Sequence, residues 1–351
     1  MPRLLRLRWL RRLVTVPGVV LALALATATL PALLTLAFLV DLVLRRGSFT
    51  SVRLVLFLEA FLAIEVLGIA ALAGVWLATP GDPRRRAAIT GPVQNLYTAA
   101  LLETTRALFA LRFEVEGDHV AAEPGPVLVF IRHSSIADVL LPGVFLARRH
   151  GLRLRYVLKR ELLVLPCLDI AGHFLPNHFV ARDGADSAGE VAALGRLAEG
   201  LGDRDGVLIY PEGTRFSAGK RRRILDRLAE DPEARRRAAR LNHLLPLRAG
   251  GSLALLDAAP GCDLLFFGHA GFEGLATLRD IWAGAMVGRT IRLKLWRARA
   301  AEIPHGRAAR LTWLEGRWQS LDDWLASMER VEASRRGNTV RAPALPSTTG
   351  G

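Results

Sequence analysis

Two long apolar segments at the start of the chain precede a pattern of short apolar runs and amphipathic stretches. Residues 13–40 contain no charged residue, and residues 54–78 contain only Glu59 and Glu65. A helix needs about 20 apolar residues to cross a bilayer, so each segment is long enough. We therefore predict an N-terminal two-helix transmembrane hairpin within residues 1–83.

Arginine residues flank both ends of this hairpin. Five lie within residues 1–12, and Arg84, Arg85 and Arg86 follow the second segment. Because positive residues favour the cytoplasmic side, we expect a bacterial inner-membrane location, with the large remaining part of the chain on the cytoplasmic face. The connecting loop also carries three arginines, which weakens this orientation. A signal peptide cleaved near Ala26 is the alternative, but the apolar run continues well beyond it.

Short apolar runs alternate with helical periodicity in the rest of the chain. Strands are predicted at residues 113–116, 127–131, 156–158, 179–182, 207–210, 244–247 and 264–267. Helical segments are predicted at residues 87–111, 161–171, 188–201 and 218–240. This alternation indicates an α/β sheet covered by helices on both faces, over residues 84–330. The Arg-, Pro-, Ser-, Thr- and Gly-rich residues 331–351 are predicted to form a disordered tail.

Charge and composition narrow the class of partner. The net charge is +14 and the isoelectric point about 11.1, which suits an anionic partner such as a phosphorylated substrate or a membrane surface. The chain has only three tyrosines and no interleaving of basic and aromatic residues, so we predict no nucleic-acid binding. Cys167 and Cys262 lack the spacing of metal ligands, so we expect two buried apolar residues and no metal site.

A candidate general base directly follows the apolar run at residues 127–131. His133 and Asp138 are five residues apart, and a turn between strand and helix brings such a carboxylate back to the imidazole. A carboxylate fixes the tautomer of the imidazole and makes it an effective base. The substrate then supplies the attacking hydroxyl. A serine esterase that uses Ser134 or Ser135 is the alternative, although neither lies in a G-x-S-x-G elbow.

Two other predicted strand ends carry groups suited to a phosphate. Arg182 ends one strand and Arg215 closes the turn after another, and a guanidinium grips phosphate with two parallel hydrogen bonds. Gly213 allows the backbone to approach a ligand closely. Glu212 is suited to a substrate hydroxyl or to orienting Arg215.

These blocks, taken in order, resemble those of the 1-acylglycerol-3-phosphate acyltransferase (lysophosphatidic acid acyltransferase) family. The blocks are H-x4-D at 133–138, an F-x-x-R segment at 179–182, Y-P-E-G-T-R at 210–215 and L-P-L-R at 245–248. The resemblance covers roughly residues 125–270.

One further similarity and two departures bear on the choice of substrate. Residues 243–246 resemble the lysocardiolipin branch of the family. Arg132 stands where the family commonly has Asn, and Tyr210 stands where it has Phe. These departures concern the headgroup of the acceptor more than the type of reaction.

The resemblance implies an acyltransferase-type mixed sheet flanked by helices and a membrane-bound enzyme. It would transfer a fatty acyl group from acyl-CoA or acyl carrier protein to a lysophospholipid, with 1-acyl-sn-glycerol 3-phosphate as the default acceptor. His133 would be the base and Asp138 its partner, without a metal or other cofactor. The residues implied to bind the acceptor are Arg182, Glu212, Gly213, Thr214 and Arg215. Alternatives are a lysocardiolipin- or lysophosphatidylinositol-type acceptor, or a non-catalytic lipid-binding membrane protein.

Overall fold

The computed structural model describes residues 7–180, 187–275 and 278–340. The two apolar segments form helices α1 (Arg8–Val43) and α2 (Thr50–Ala78), as predicted, and both are long and apolar enough to cross a membrane. The Asp41 carboxylate accepts the Ser51 backbone N–H at 2.9 Å, so the end of α1 caps the start of α2. Helix α3 (Pro83–Phe109) follows and leads into the sheet.

Seven strands form one mixed sheet, which confirms the predicted α/β fold. The strands are β1 (Arg112–Glu116), β2 (Val127–Ile131), β3 (Arg153–Lys159), β4 (His178–Val180), β5 (Asp205–Ile209), β6 (Asp263–Ala270) and β7 (Thr290–Ala298). Their order across the sheet is β1-β7-β6-β2-β5-β3-β4, and only the β6–β7 pair is antiparallel. Every side chain of β2 is buried, because this strand lies at the centre and is covered on both faces.

The remaining helices cover the two faces of the sheet. They are α4 (Pro166–Phe174), α5 (Ser187–Leu197), α6 (Ala218–Arg227), α7 (Pro232–Arg240), α8 (Ala249–Ala258), α9 (Leu278–Trp282) and α10 (Arg307–Val340). Val129 and Ile131 of β2 belong to the core against which α2 and α3 pack, and we name this side the hairpin face. Leu128 and Phe130 point to the opposite face, where α8 and α10 pack.

Several sequence predictions need correction. Residues 244–247 form no strand, because their buried chain is held by side chains instead of a sheet partner. The predicted helix at 218–240 is split into α6 and α7 by Pro232, which starts the second helix. Residues 331–340, assigned to a tail, continue α10, while residues 341–351 lie outside the described chain. The sequence analysis missed β7, α8, α9 and α10.

Both ends of the helical hairpin contact the α/β domain. At the start of α1, Arg11 forms a buried ion pair with Asp169 of α4 at 2.7 Å. At the turn between α1 and α2, Arg46 donates to the Trp282 carbonyl at 2.8 Å and lies over its ring. Arg53 also donates to the carbonyl of Leu108 at the end of α3. The hairpin therefore runs along the domain.

Candidate active site

The chain leaves β2 at Ile131 and returns on itself through a short irregular turn before the 3-10 helix Asp138–Leu140. This turn brings His133 Nδ1 to 2.9 Å from Asp138 Oδ1. The backbone N–H groups of Ser134 and Ser135 donate to Asp138 Oδ2 at 2.7 and 2.8 Å. The structure thus brings together the pair that the H-x4-D spacing predicted, with the carboxylate locked by the turn it closes.

Asp138 is fully buried, yet it is held as the carboxylate. Burial raises the pKa of Asp138, but hydrogen bonds from His133 and His269 outweigh burial and leave it well below its usual value. Because Nδ1 of His133 faces Asp138, its Nε2 is the nitrogen left to take a proton from a substrate.

His269 is a component of this site that the sequence analysis did not identify. It lies on β6, is fully buried, and its Nε2 is 3.0 Å from the Arg132 carbonyl and 3.5 Å from Asp138 Oδ2. Asp138 therefore lies between two imidazoles. No local motif marks His269, because only the pairing of β2 with β6 brings it to the turn.

The imidazole of His133 lies on the hairpin face of the sheet. Its ring packs against Tyr210, with ring centroids 4.5 Å apart, and Tyr210 packs against the core on that face. Burial raises the pKa of Tyr210 well above its usual value, and the charge of Asp138 adds to this, so the phenol stays protonated. The tyrosine that departs from the family pattern is thus a neighbour of the predicted base.

Glu212 joins two loops of the site. Its Oε1 accepts the backbone N–H of His133 and its Oε2 accepts that of Leu245, each at 2.9 Å. Burial raises the pKa of Glu212 to about 8, although these hydrogen bonds and the nearby Arg132 oppose the rise. These contacts give Glu212 a positioning role, whereas its predicted contact with an acceptor stays a prediction.

The turn after β5 places the rest of the Y-P-E-G-T-R block beside His133. Gly213 adopts a φ of +67°, which favours glycine, and Phe216 donates its N–H to the His133 carbonyl at 2.8 Å. Lys220 donates to Thr214 Oγ1 at 2.9 Å and to the Arg215 carbonyl at 2.8 Å. Gly213, Thr214 and Arg215 are thus held next to the predicted base, with Arg215 half-buried.

The side chain of Arg132 points away from His133, to the other face of the sheet. It is only 1% exposed and donates to the His269 carbonyl at 2.6 Å while pairing with Glu273. Although burial raises the pKa of Glu273, Arg132 outweighs this and holds it at about 2. The arginine that replaces the family's Asn is therefore a buried structural cation, not a second phosphate ligand.

The structure also bears on the predictions for Arg182, the cysteines and the serines. Arg182 lies outside the described residues. Among those that the structure describes, no cluster of three or more His, Cys, Asp or Glu side chains is arranged to hold a metal ion. Cys167 and Cys262 are buried free thiols, as expected. The Ser135 hydroxyl donates to the Leu275 carbonyl at 3.0 Å, so it does not serve His133 as a nucleophile.

The comparisons with known proteins concern the segment that holds these residues and the fold around it. Residues 112–239 match the protein-family model described as Acyltransferase. The curated proteins give no match. Among solved structures, the chain is similar to the crystal structure of the 1-acyl-sn-glycerophosphate (LPA) acyltransferase PlsC from Thermotoga maritima. The match has 14% identity and a TM-score of 0.50, and it covers 79% of this chain and 98% of that chain.

At that identity the structural match shows a common fold, while the family model covers the segment that holds both His133–Asp138 and the turn after β5. The lysocardiolipin branch stays a prediction. Residues 112–239 of the chain therefore match the Acyltransferase model, and the fold of the chain is similar to that of PlsC, as the sequence motifs predicted.

Proposed function

We propose that this protein transfers a fatty acyl group from a thioester to the free hydroxyl of a lysophospholipid, with 1-acyl-sn-glycerol 3-phosphate as the acceptor and phosphatidic acid as the product. The observation that carries the proposal is the buried His133–Asp138 pair, 2.9 Å apart, inside an acyltransferase-family segment. The donor is acyl-CoA or acyl carrier protein.

The proposed reaction needs no enzyme nucleophile. His133 Nε2 takes the proton of the acceptor hydroxyl while the oxygen attacks the thioester carbonyl, and Asp138 stabilises the imidazolium. When the tetrahedral intermediate collapses, the C–S bond breaks and the imidazolium returns its proton to the departing thiolate. General base catalysis of this kind contributes about 10²–10⁴-fold to the rate.

The hairpin supports a membrane-bound enzyme and suggests how it meets the lipid. Helix α1 has 36 residues and would be about 54 Å long, yet residues at both of its ends contact the α/β domain. A hairpin that crossed the bilayer would carry its turn to the opposite side, away from the domain. We therefore place the hairpin in the membrane along the domain, with exposed leucines such as Leu13, Leu21 and Leu36 in contact with lipid.

This orientation gives His133 access to a lipid substrate. The base lies on the hairpin face of the sheet, which is the side that would meet the bilayer. An acceptor therefore reaches His133 without leaving the membrane surface entirely. The arginines at both ends and in the turn would all lie on the same side, at the anionic headgroups.

The test is an acyl-transfer assay. Purified membranes that contain the protein are incubated with radiolabelled oleoyl-CoA, or with oleoyl acyl carrier protein, and a panel of lysophospholipids. We expect label in phosphatidic acid from the wild-type protein and none above background from His133→Ala. Equal transfer by folded His133→Ala would exclude the base role, and transfer to a different lysophospholipid would replace the proposed acceptor.

A further inference from the structure

Arg248 lies directly over the turn after β5, at the start of α8. Its backbone N–H donates to the Pro211 carbonyl at 2.8 Å, which ties it to the Y-P-E-G-T-R block. A Cβ added at Gly213 would lie only 2.7 Å from both Cδ and Cζ of Arg248. The side chain thus crosses the bare backbone of Gly213, and any larger residue there would displace it.

Two features of the structure favour glycine at this position. Its φ of +67° disfavours a side chain, and the space that a side chain would take is filled by the Arg248 guanidinium group. The sequence analysis expected Gly213 to let the backbone approach a ligand closely. In the structure, the group that approaches this backbone is a cation of the protein.

No acidic side chain among the described residues pairs with the Arg248 guanidinium group. It forms no ion pair or side-chain hydrogen bond there, and the residue is exposed. Arg215 and Lys220 add two further positive charges to the same turn, and Lys220 is fixed by its bonds to Thr214 and to the Arg215 carbonyl. Three cations therefore lie at or beside this turn, which a hydrogen bond from the Phe216 N–H joins to the His133 carbonyl.

We propose that Arg248 binds the phosphate group of the acceptor, held in position across Gly213, and so selects phosphorylated acceptors. This inference rests on the proposed function, because it assigns a ligand to the same site. A guanidinium group can give two parallel hydrogen bonds to phosphate oxygens, and Arg215 and Lys220 add to the positive field.

The position of Arg248 favours the acceptor over the donor as the source of this phosphate. In 1-acyl-sn-glycerol 3-phosphate only two carbons and an ester oxygen separate the reacting hydroxyl oxygen from phosphorus. The phosphate must therefore bind close to His133, and the Gly213 turn is joined to His133 through Phe216 at 2.8 Å. The phosphates of CoA are separated from its thioester by the long pantetheine arm.

The first test compares the KM for the two substrates in Arg248→Ala. We expect the KM for 1-acyl-sn-glycerol 3-phosphate to rise about tenfold to a hundredfold, as for a lost hydrogen bond to a charged group. The KM for oleoyl-CoA and the kcat should change by less than about twofold. Arg248→Lys should restore part of the loss. Arg222→Ala is the matched control, because it removes one exposed charge from the adjacent α6.

An unchanged acceptor KM in Arg248→Ala would overturn the inference, and so would a rise confined to the KM for oleoyl-CoA. The second test needs no turnover: calorimetry with detergent-solubilised 1-acyl-sn-glycerol 3-phosphate, on His133→Ala with and without Arg248→Ala. Arg248→Ala should weaken binding of this lipid and leave binding of unphosphorylated 1-acylglycerol unchanged; equal binding of the phosphorylated lipid would refute the inference. Failure of the proposed function would appear separately, as absence of acyl transfer by the wild-type protein.

Discussion

The backbone N–H of His133 donates to Glu212 Oε1, 2.9 Å away, across two neighbouring strands of the sheet. The other oxygen of Glu212 accepts from the Leu245 backbone N–H, so one buried carboxyl group holds the base loop and the loop after α7 together. Both donors are backbone N–H groups, so a motif of side chains does not reveal these two hydrogen bonds. The relationship explains why a carboxyl group is suited to this position: each of its two oxygens accepts from one backbone donor.

We predict that Glu212→Gln changes the dependence of stability on pH. The amide has a single oxygen acceptor, so one buried N–H loses its partner, at a cost of about 1–3 kcal/mol near pH 5. The pKa of Glu212 is about 8 in the folded protein and near 4.5 in the unfolded chain, so unfolding releases a proton between these values. The wild-type protein therefore loses stability as the pH rises from about 4.5 to about 8, and the Glu212→Gln protein does not.

The measurement is chemical denaturation of the detergent-solubilised wild-type and Glu212→Gln proteins at pH 5, 7 and 9. The stability deficit of the variant should shrink as the pH rises. A deficit that stays constant or grows would show that Glu212 is ionised throughout in the folded protein.

We also predict that His269 positions Asp138. His269→Ala should lower kcat about tenfold or more and leave the acceptor KM unchanged, because Asp138 loses one of the groups that fix it. His269→Gln should retain most of the activity, since its amide nitrogen can replace the Nε2–H donor. Steady-state kinetics of both variants, with their melting temperatures, provide the test. If Gln and Ala lose activity equally, His269 only fills the core.

The ion pair between Arg132 and Glu273 gives a prediction for stability. Glu273→Gln should destabilise the protein by about 1 kcal/mol at pH 7, because Arg132 stays buried while solvent screens the 45% exposed Glu273. The pKa of Glu273 is about 2 when folded, so the stabilisation is present above pH 4.5 and is lost as the pH falls toward 2.

Denaturation of wild-type and Glu273→Gln proteins at pH 7 and pH 3 measures this effect. Glu329→Gln is the matched control, since this glutamate is 75% exposed and lies 3.8 Å from its histidine partner. A loss of stability that is equal in the two variants, or is independent of pH, would contradict the role of the Arg132 pair.

The orientation of the hairpin can be tested with a single cysteine. Gly47 lies exposed in the turn between α1 and α2, with no atom within 4 Å of an added Cβ. In sealed vesicles, a membrane-impermeant maleimide should label Gly47→Cys from the same side as Gly219→Cys, an exposed position on α6. The native thiols Cys167 and Cys262 are buried and should not react. Labelling of the two variants from opposite sides would show that the hairpin crosses the membrane.

The sequence predicted those parts of the site that lie close together along the chain. The apolar run of β2 followed by His133 and Asp138 predicted a strand, a turn and a paired imidazole, because five residues are enough to close that turn. The block at 210–215 predicted a strand end rich in polar groups, because it directly follows the apolar run at residues 207–210. The predicted strand at 244–247 was wrong, because a short buried apolar run looks the same whether it has a sheet partner or not.

The sequence by itself determined the two apolar helices, the α/β alternation and the base with its carboxylate, since each depends on residues within one or two turns of one another. Only the tertiary structure decided that His269 joins Asp138, that Glu212 holds His133 and Leu245, that Arg248 covers Gly213, and that both ends of the hairpin contact the domain. These contacts join residues 33 to 236 positions apart. Which distant segments meet depends on strand order and helix packing, and these come from burying the whole core at once.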